Sequence, residues 1–211
     1  MRILVIAATK AEIEPFIGSN KNVEALITGV GVPSTLYLLQ KKLLQKETDL
    51  VIQAGIAGSF TEAIDLGDVV LVKQDTFADI GMEEKEQFTS IFNSGFANKD
   101  AFPFSDGWLI NSNDLLINLS LPAVKGITVN KVSDSLVQKQ QLLKAFTPQV
   151  ESMEGAALHY VCLQENIPFI QIRSISNFIG ERDKSRWKLK AAITNLNEEL
   201  NKLTDKLLRQ P

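Results

Sequence analysis

Phe169-Ile170-Gln171-Ile172 runs directly into Arg173-Ser174-Ile175-Ser176-Asn177. The first four residues read as a largely buried strand, and the next five place a cation, two hydroxyls and a carboxamide where it ends. Elsewhere, residues 3–8, 25–28, 50–54, 69–72 and 127–129 are further short apolar runs of the same kind. Helical patterns fall between some of them. Residues 33–46 place Leu36, Leu39, Leu43 and Leu44 on one face, and residues 154–165 form a second helical stretch. Residues 190–209 carry Ile193, Leu196, Leu200, Leu203 and Leu207, the stripe of a helix docked on a sheet. Strands alternating with helices predict one α/β domain over residues 1–211, a mixed, twisted central sheet flanked by helices. Residues 77–113 are weakly periodic and long for a bare connection, so they are expected to carry function or small elements of their own.

Composition narrows the function classes. The chain has 211 residues, 45% of them hydrophobic, enough for a sizeable core. A net charge of −3 does not favour a nucleic-acid surface. The apolar runs are too short to span a bilayer, and Met1 leads straight into a strand, so no membrane partner and a cytoplasmic location are expected. One cysteine and one histidine argue against a zinc site, and no metal or cofactor is expected. His159 reads as a helix packing residue and Cys162 as a small buried apolar one.

In open α/β sheets, ligands gather at the carboxyl ends of strands. The segments that follow the strands here are Ala7-Ala8-Thr9-Lys10-Ala11-Glu12, Thr28-Gly29-Val30-Gly31, Gly55-Ile56-Ala57-Gly58-Ser59 and Arg173 to Asn177. Just before a helix lies Glu151-Ser152-Met153-Glu154-Gly155-Ala156-Ala157. Glycines at such places let backbone amides approach a ligand. The first pair, Gly29 and Gly31, lacks the third glycine of a dinucleotide fingerprint, and there is no phosphate-loop lysine.

Taken in chain order, the early Glu12, the Gly-Ile-Ala-Gly turn at 55–58, Met153-Glu154-Gly155-Ala156 and Arg173-Ser174-Ile175-Ser176-Asn177 resemble the purine nucleoside phosphorylase and nucleosidase superfamily over nearly the full length. Within it the chain is most similar to the futalosine hydrolases of menaquinone biosynthesis, then to the methylthioadenosine/S-adenosylhomocysteine nucleosidases. The resemblance implies cleavage of an N-glycosidic bond in a small-molecule purine nucleoside, and a homodimer or higher homo-oligomer. Glycosidic cleavage passes through an oxocarbenium-like sugar and needs an activated water. Glu12 takes the place of the family's water-activating residue; read alone, it is a first-turn helix glutamate favoured by the helix dipole. Glu154 is implied as the ribose clamp, Met153 as a sugar contact, and Ile56 and Ala57 as substrate-binding residues. The related nucleosidases carry glutamate directly before the methionine, where this chain has Ser152, so the roles of Glu151 and Ser152 stay open.

Asn177 stands where the methylthioadenosine nucleosidases carry a proton-donating aspartate. A carboxamide both donates and accepts, which suits a 6-oxopurine such as hypoxanthine. Ser176 would support it. Arg173 is either a ligand contact or a structural partner of a carboxylate. Trp187 falls where relatives carry an aromatic cover for the 5′ substituent, Arg182 or Arg186 could pair with a carboxylate there, and Phe102 and Phe104 could complete the pocket, from this chain or a neighbour. The five arginines, Arg2, Arg173, Arg182, Arg186 and Arg209, leave residues 29–33 and 55–60 without one, which favours hydrolysis over phosphorolysis. Two alternatives stand beside futalosine hydrolysis: a methylthioadenosine-type or general purine nucleosidase, and a non-catalytic nucleoside-binding protein on the same fold.

Overall fold

A computed structural model describes residues 1–85, 87–181 and 183–209. The apolar run at the amino terminus forms strand β1 (Ile3–Ala7), buried at every position. Helix α1 (Lys10–Ser19) follows, then β2 (Glu24–Ile27), α2 (Val32–Leu43), β3 (Leu50–Ser59) and β4 (Val69–Asp75). The segment 77–113 contains a separate two-stranded hairpin, β5 (Gly81–Glu84) with β6 (Gln87–Ser90), and the short β7 (Leu109–Ile110). It therefore carries small elements of its own. Strand β8 (Ala123–Thr128), α3 (Leu136–Phe146), β9 (Val150–Ser152), α4 (Gly155–Gln164), β10 (Phe169–Phe178) and α5 (Leu189–Leu208) complete the chain.

The main sheet is mixed, in the order β10-β4-β8-β9-β3-β1-β2, and β10 also pairs with β3. That extra pairing closes β3, β10, β4, β8 and β9 into a ring, with β1 and β2 extending one side of it. Closure explains the main departure from the sequence reading. Residues 55–59 and 173–178 look like post-strand segments because they are rich in glycine, serine and polar side chains. In the structure they remain in β3 and β10, paired with each other in parallel register from Phe169 with Val51 to Phe178 with Ser59. A bulge between Ile175 and Asn177 shifts the register just before the carboxamide.

Helices cover both faces. α1 and α5 pack Ile13, Phe16, Leu196, Leu200, Leu203 and Leu207 against Val5, Ile52 and Ile172. The leucine stripe is thus a sheet-docking face, each fully buried leucine contributing roughly 1.5–3 kcal/mol. On the other face, α2 and α4 bring Leu39, Leu43, Leu158 and Val161 against Leu4, Ile6 and Val51. One helix, α3, escapes the sequence reading, and α1 enters it only through Glu12. α3 buries only Leu142 of its own residues, so its apolar period is faint. α1 is broken by Pro15 and by non-helical angles at Ile13. Among the described residues no helix is long and apolar enough to cross a membrane.

Candidate active site

The carboxyl ends of β1 and β9 meet the middle of the β3–β10 pair and bring three charged side chains together. Glu12 sits in the first turn of α1, and it is buried rather than exposed. One carboxylate oxygen, Oε2, accepts from the Thr9 N–H at 2.8 Å and the Thr9 hydroxyl at 2.9 Å. The other, Oε1, accepts from the Ile56 N–H at 3.1 Å. The Glu12 carbonyl is held from behind. Pro15 cannot donate, the helix kinks at Ile13, and the Asn197 carboxamide of α5 enters the gap. Asn197 donates to the Glu12 carbonyl at 2.8 Å and accepts from the Phe16 N–H at 2.9 Å. An asparagine thus replaces the helical hydrogen bond that the kink breaks, and fixes the turn that carries Glu12.

Glu154 lies at the N-cap of α4, 5% exposed. Its Oε1 accepts from the Gly31 N–H at 3.1 Å, so the Gly29-Val30-Gly31 segment reaches this side chain. Gly31 has φ +91, a left-handed-side conformation that glycine supplies at little cost. The other oxygen, Oε2, meets Arg173 Nη1 at 3.4 Å. Arg173, 1% exposed, also donates to the Ile56 carbonyl at 3.4 Å and to Gln53 at 3.0 Å. The Ile56 backbone therefore links both charges: its N–H serves Glu12 and its C=O serves Arg173. Gly55 makes room for this, because a Cβ there would lie 2.5 Å from Arg173 Nη1 and 3.0 Å from Glu12 Oε1. Ionised carboxylates offer about four acceptor positions, so Glu154 retains capacity for two hydroxyl donors.

Asn177 lies further along the same strand pair, opposite Gly58. From Gly55 to Gly58 the strand advances about 10 Å, the scale of a nucleoside. Ser176 donates its hydroxyl to Asn177 Oδ1 at 2.8 Å, which leaves the NH₂ as the outward donor, with the Phe178 carbonyl at 3.2 Å. Ser176 Oγ also lies 3.2 Å from the Ala57 carbonyl, so its one proton is shared between that oxygen and Asn177 Oδ1, and the pair ties the carboxamide to β3. Met153 is half-buried beside Glu154.

The open roles at 151 and 152 acquire partners. Ser152 accepts from the Gly155 N–H at 3.2 Å, closing the turn into α4. Glu151 is buried, takes both the N–H and the hydroxyl of Ser133, and has its carboxyl pushed up from the usual range by burial. His159 donates from Nδ1 to the Leu109 carbonyl at 2.9 Å, and burial pushes its imidazole down to about 4, so it is a neutral packing residue at neutral pH. Burial raises the Cys162 thiol far above its usual range.

The residues assigned to the 5′ end are less concentrated. Arg186 is exposed and already paired, with Glu181 at 2.8 Å and Asp183 at 3.8 Å. Trp187 donates its indole N–H to the Glu181 carbonyl at 3.1 Å and borders a shallow cavity of about 510 Å³ with Lys188 and Lys190. Phe102 is 70% exposed, and Phe104 packs on Phe92 at 5.1 Å and Tyr160 at 6.0 Å, on the α4 surface. Arg182 lies outside the described residues. Among the described residues no group of three or more metal-ligating side chains occurs.

Fold and site together place the chain in a family: the model of the Phosphorylase superfamily matches residues 2–209, and the chain belongs to that superfamily. Among its relatives, the futalosine hydrolase of Thermus thermophilus is 27% identical over 181 residues, which cover 84% of this chain and 79% of the relative. The 5′-methylthioadenosine/S-adenosylhomocysteine nucleosidase of Buchnera aphidicola is 23% identical over 211 residues, covering 94% and 84%. The solved structure of Helicobacter pylori futalosine hydrolase superposes with a TM-score of 0.80, covering 98% of both chains at 18% identity, and so shares the fold. One relative is named a hydrolase and the other a nucleosidase, and both names agree with the enzyme class expected from the sequence, an N-glycosyl hydrolase.

Proposed function

We propose that the chain hydrolyses the N-glycosidic bond of futalosine, releasing hypoxanthine and dehypoxanthine futalosine, a step of menaquinone biosynthesis. The observation that carries this reading is the buried cluster of Glu12, Arg173 and Glu154 around the Ile56 backbone, with Asn177 further along the same strands. Glu12 activates the water. Glu154 accepts from the ribose hydroxyls, and its charge favours the oxocarbenium-like sugar. Asn177 donates toward the 6-oxopurine as it leaves. Trp187 covers the 5′ substituent. A carboxylate on that substituent would compete with Glu181 for Arg186. The methylthioadenosine-type reading is supported by sequence relatives that carry that name, those of Buchnera aphidicola and Staphylococcus aureus among them.

Hydrolysis rather than phosphorolysis rests on the absence of arginine from residues 29–33 and 55–60. Turnover in phosphate-free buffer is expected to equal turnover with phosphate, with free sugar as product. A sugar phosphate as the main product would overturn the reaction assignment. Oligomerisation is proposed through the apolar groove between α2 and α4, about 640 Å³, lined by Leu36, Tyr37, Leu44, Tyr160 and Val161. Its occupant would be a second copy of the chain, to be read from solution mass.

A further inference from the structure

Asp75, at the end of β4, is fully buried and lies outside the reaction as described. Its Oδ1 accepts from the Thr128 hydroxyl at 2.9 Å and from the Thr76 N–H at 2.8 Å. Gln171 approaches Oδ2 at 3.3 Å. Thr128, also fully buried, accepts in turn from the Ala156 N–H at 2.7 Å. Ala156 is the second residue of α4, and its N–H is one of those a helix leaves unpaired at its start. The N-cap residue of α4 is Glu154, whose side chain caps nothing in its own helix, because it is turned to Gly31 and Arg173. Ser152 takes the Gly155 N–H, and the Ala156 N–H is capped from β8. A hydroxyl has one proton: Thr128 gives it to Asp75 and so presents a lone pair to Ala156.

The motif glycine fits the same arrangement. A Cβ at Gly155 would lie 2.1 Å from Asp75 Oδ2 and 2.2 Å from Gln171 Nε2. Asp75 and Gln171 occupy the place of a side chain directly behind the residue that follows Glu154. A buried carboxyl that bonds no substrate costs free energy. Through Thr128 its geometry leads to the turn from which Glu154 projects.

We propose that Asp75 and Thr128 are positioning residues, a relay from β4 through β8 that caps α4 in place of Glu154 and so frees and fixes Glu154 for the sugar. This rests on the reading of Glu154 given under Proposed function. The test separates sugar from base. Thr128→Val keeps shape and removes the hydroxyl. KM for the nucleoside is expected to rise about 10-fold, the loss of one buried hydrogen bond, while inhibition by free hypoxanthine, which has no sugar, stays unchanged. Thr128→Ser restores the relay and is expected to restore KM. Gly155→Ala, which drives a methyl into Asp75, is expected to show the same split and serves if Thr128→Val does not fold. Equal shifts in nucleoside KM and hypoxanthine inhibition, parent-like kinetics in both variants, or a Thr128→Ser enzyme as impaired as Thr128→Val would each overturn the relay. Parent-like turnover by Glu154→Gln would instead remove the reading of Glu154 on which the relay depends.

Discussion

Arg173 Nη1 stands 3.4 Å from Glu154 Oε2, with both side chains almost wholly removed from solvent. A buried cation in a strand next to a buried carboxylate at a helix start is a coupled pair, and neither half is comfortable alone. Replacing Arg173 by Met is therefore expected to destabilise the fold by about 3–5 kcal/mol, since an unpaired buried charge remains. Adding Glu154→Gln to that variant should recover part of the loss. Urea unfolding of the two single variants and the double checks this; strictly additive losses would mean the pair is not coupled.

Glu12 is held on both oxygens and at its carbonyl, which fixes one orientation of one carboxylate. Glu12→Gln keeps an acceptor oxygen and the shape of the side chain but cannot take a proton. Turnover is expected to fall roughly 10²-fold or more with substrate affinity retained. Near-parental turnover would remove Glu12 from the chemistry.

Asp75 gives the fold a pH dependence of known sign. Burial pushes its carboxyl up to about 7, so the folded state prefers the neutral form. The unfolded chain ionises near the ordinary carboxylate value, and this group's contribution is complete below that pH and is lost as pH rises through about 7. His159 acts oppositely: with its imidazole held down to about 4, it costs stability as pH falls below the ordinary imidazole value. The comparison that isolates Asp75 is Asp75→Asn against the parent. The introduced carboxamide oxygen still accepts from Thr128, and the difference in Tm should grow in favour of the Asp75→Asn variant between about pH 4 and about pH 8. A difference independent of pH would show that Asp75 does not titrate there.

Ser176 fixes which end of the Asn177 carboxamide faces outward. Asn177→Asp should lower activity on hypoxanthine nucleosides and favour 6-amino substrates, because an ionised carboxylate cannot donate to O6. Sites that pair a polar group discriminate strongly when the pairing is lost. An unchanged ratio of 6-oxo to 6-amino turnover, measured by base release, would mean that this side chain does not read the base.

The layered fold was legible because its elements announce themselves by period: β1 as an unbroken apolar run, α5 as a leucine stripe. Ring closure was not, since it depends on β3 and β10 continuing through Gly55–Ser59 and Arg173–Phe178, where local composition reads as loop. Glu12, Glu154 and Asn177 stood out through their motifs. Arg173 could be read two ways until its partner was seen. Asn197 and Thr128 act across about 185 and 28 residues of chain on Glu12 and Ala156, respectively, and no local pattern carries such a contact. Two signals were present nonetheless: a proline three residues after Glu12, and a polar residue within the apolar stripe of α5.

The most direct measurement is release of free purine from futalosine, inosine and methylthioadenosine by the full chain in phosphate-free buffer, followed by chromatography. Hypoxanthine should appear from futalosine, with kcat/KM at least ~10-fold above that for inosine, as expected of one charge-assisted contact at the 5′ end. Adenine released preferentially from methylthioadenosine would contradict the substrate, and no purine released from any of the three would contradict the hydrolase itself.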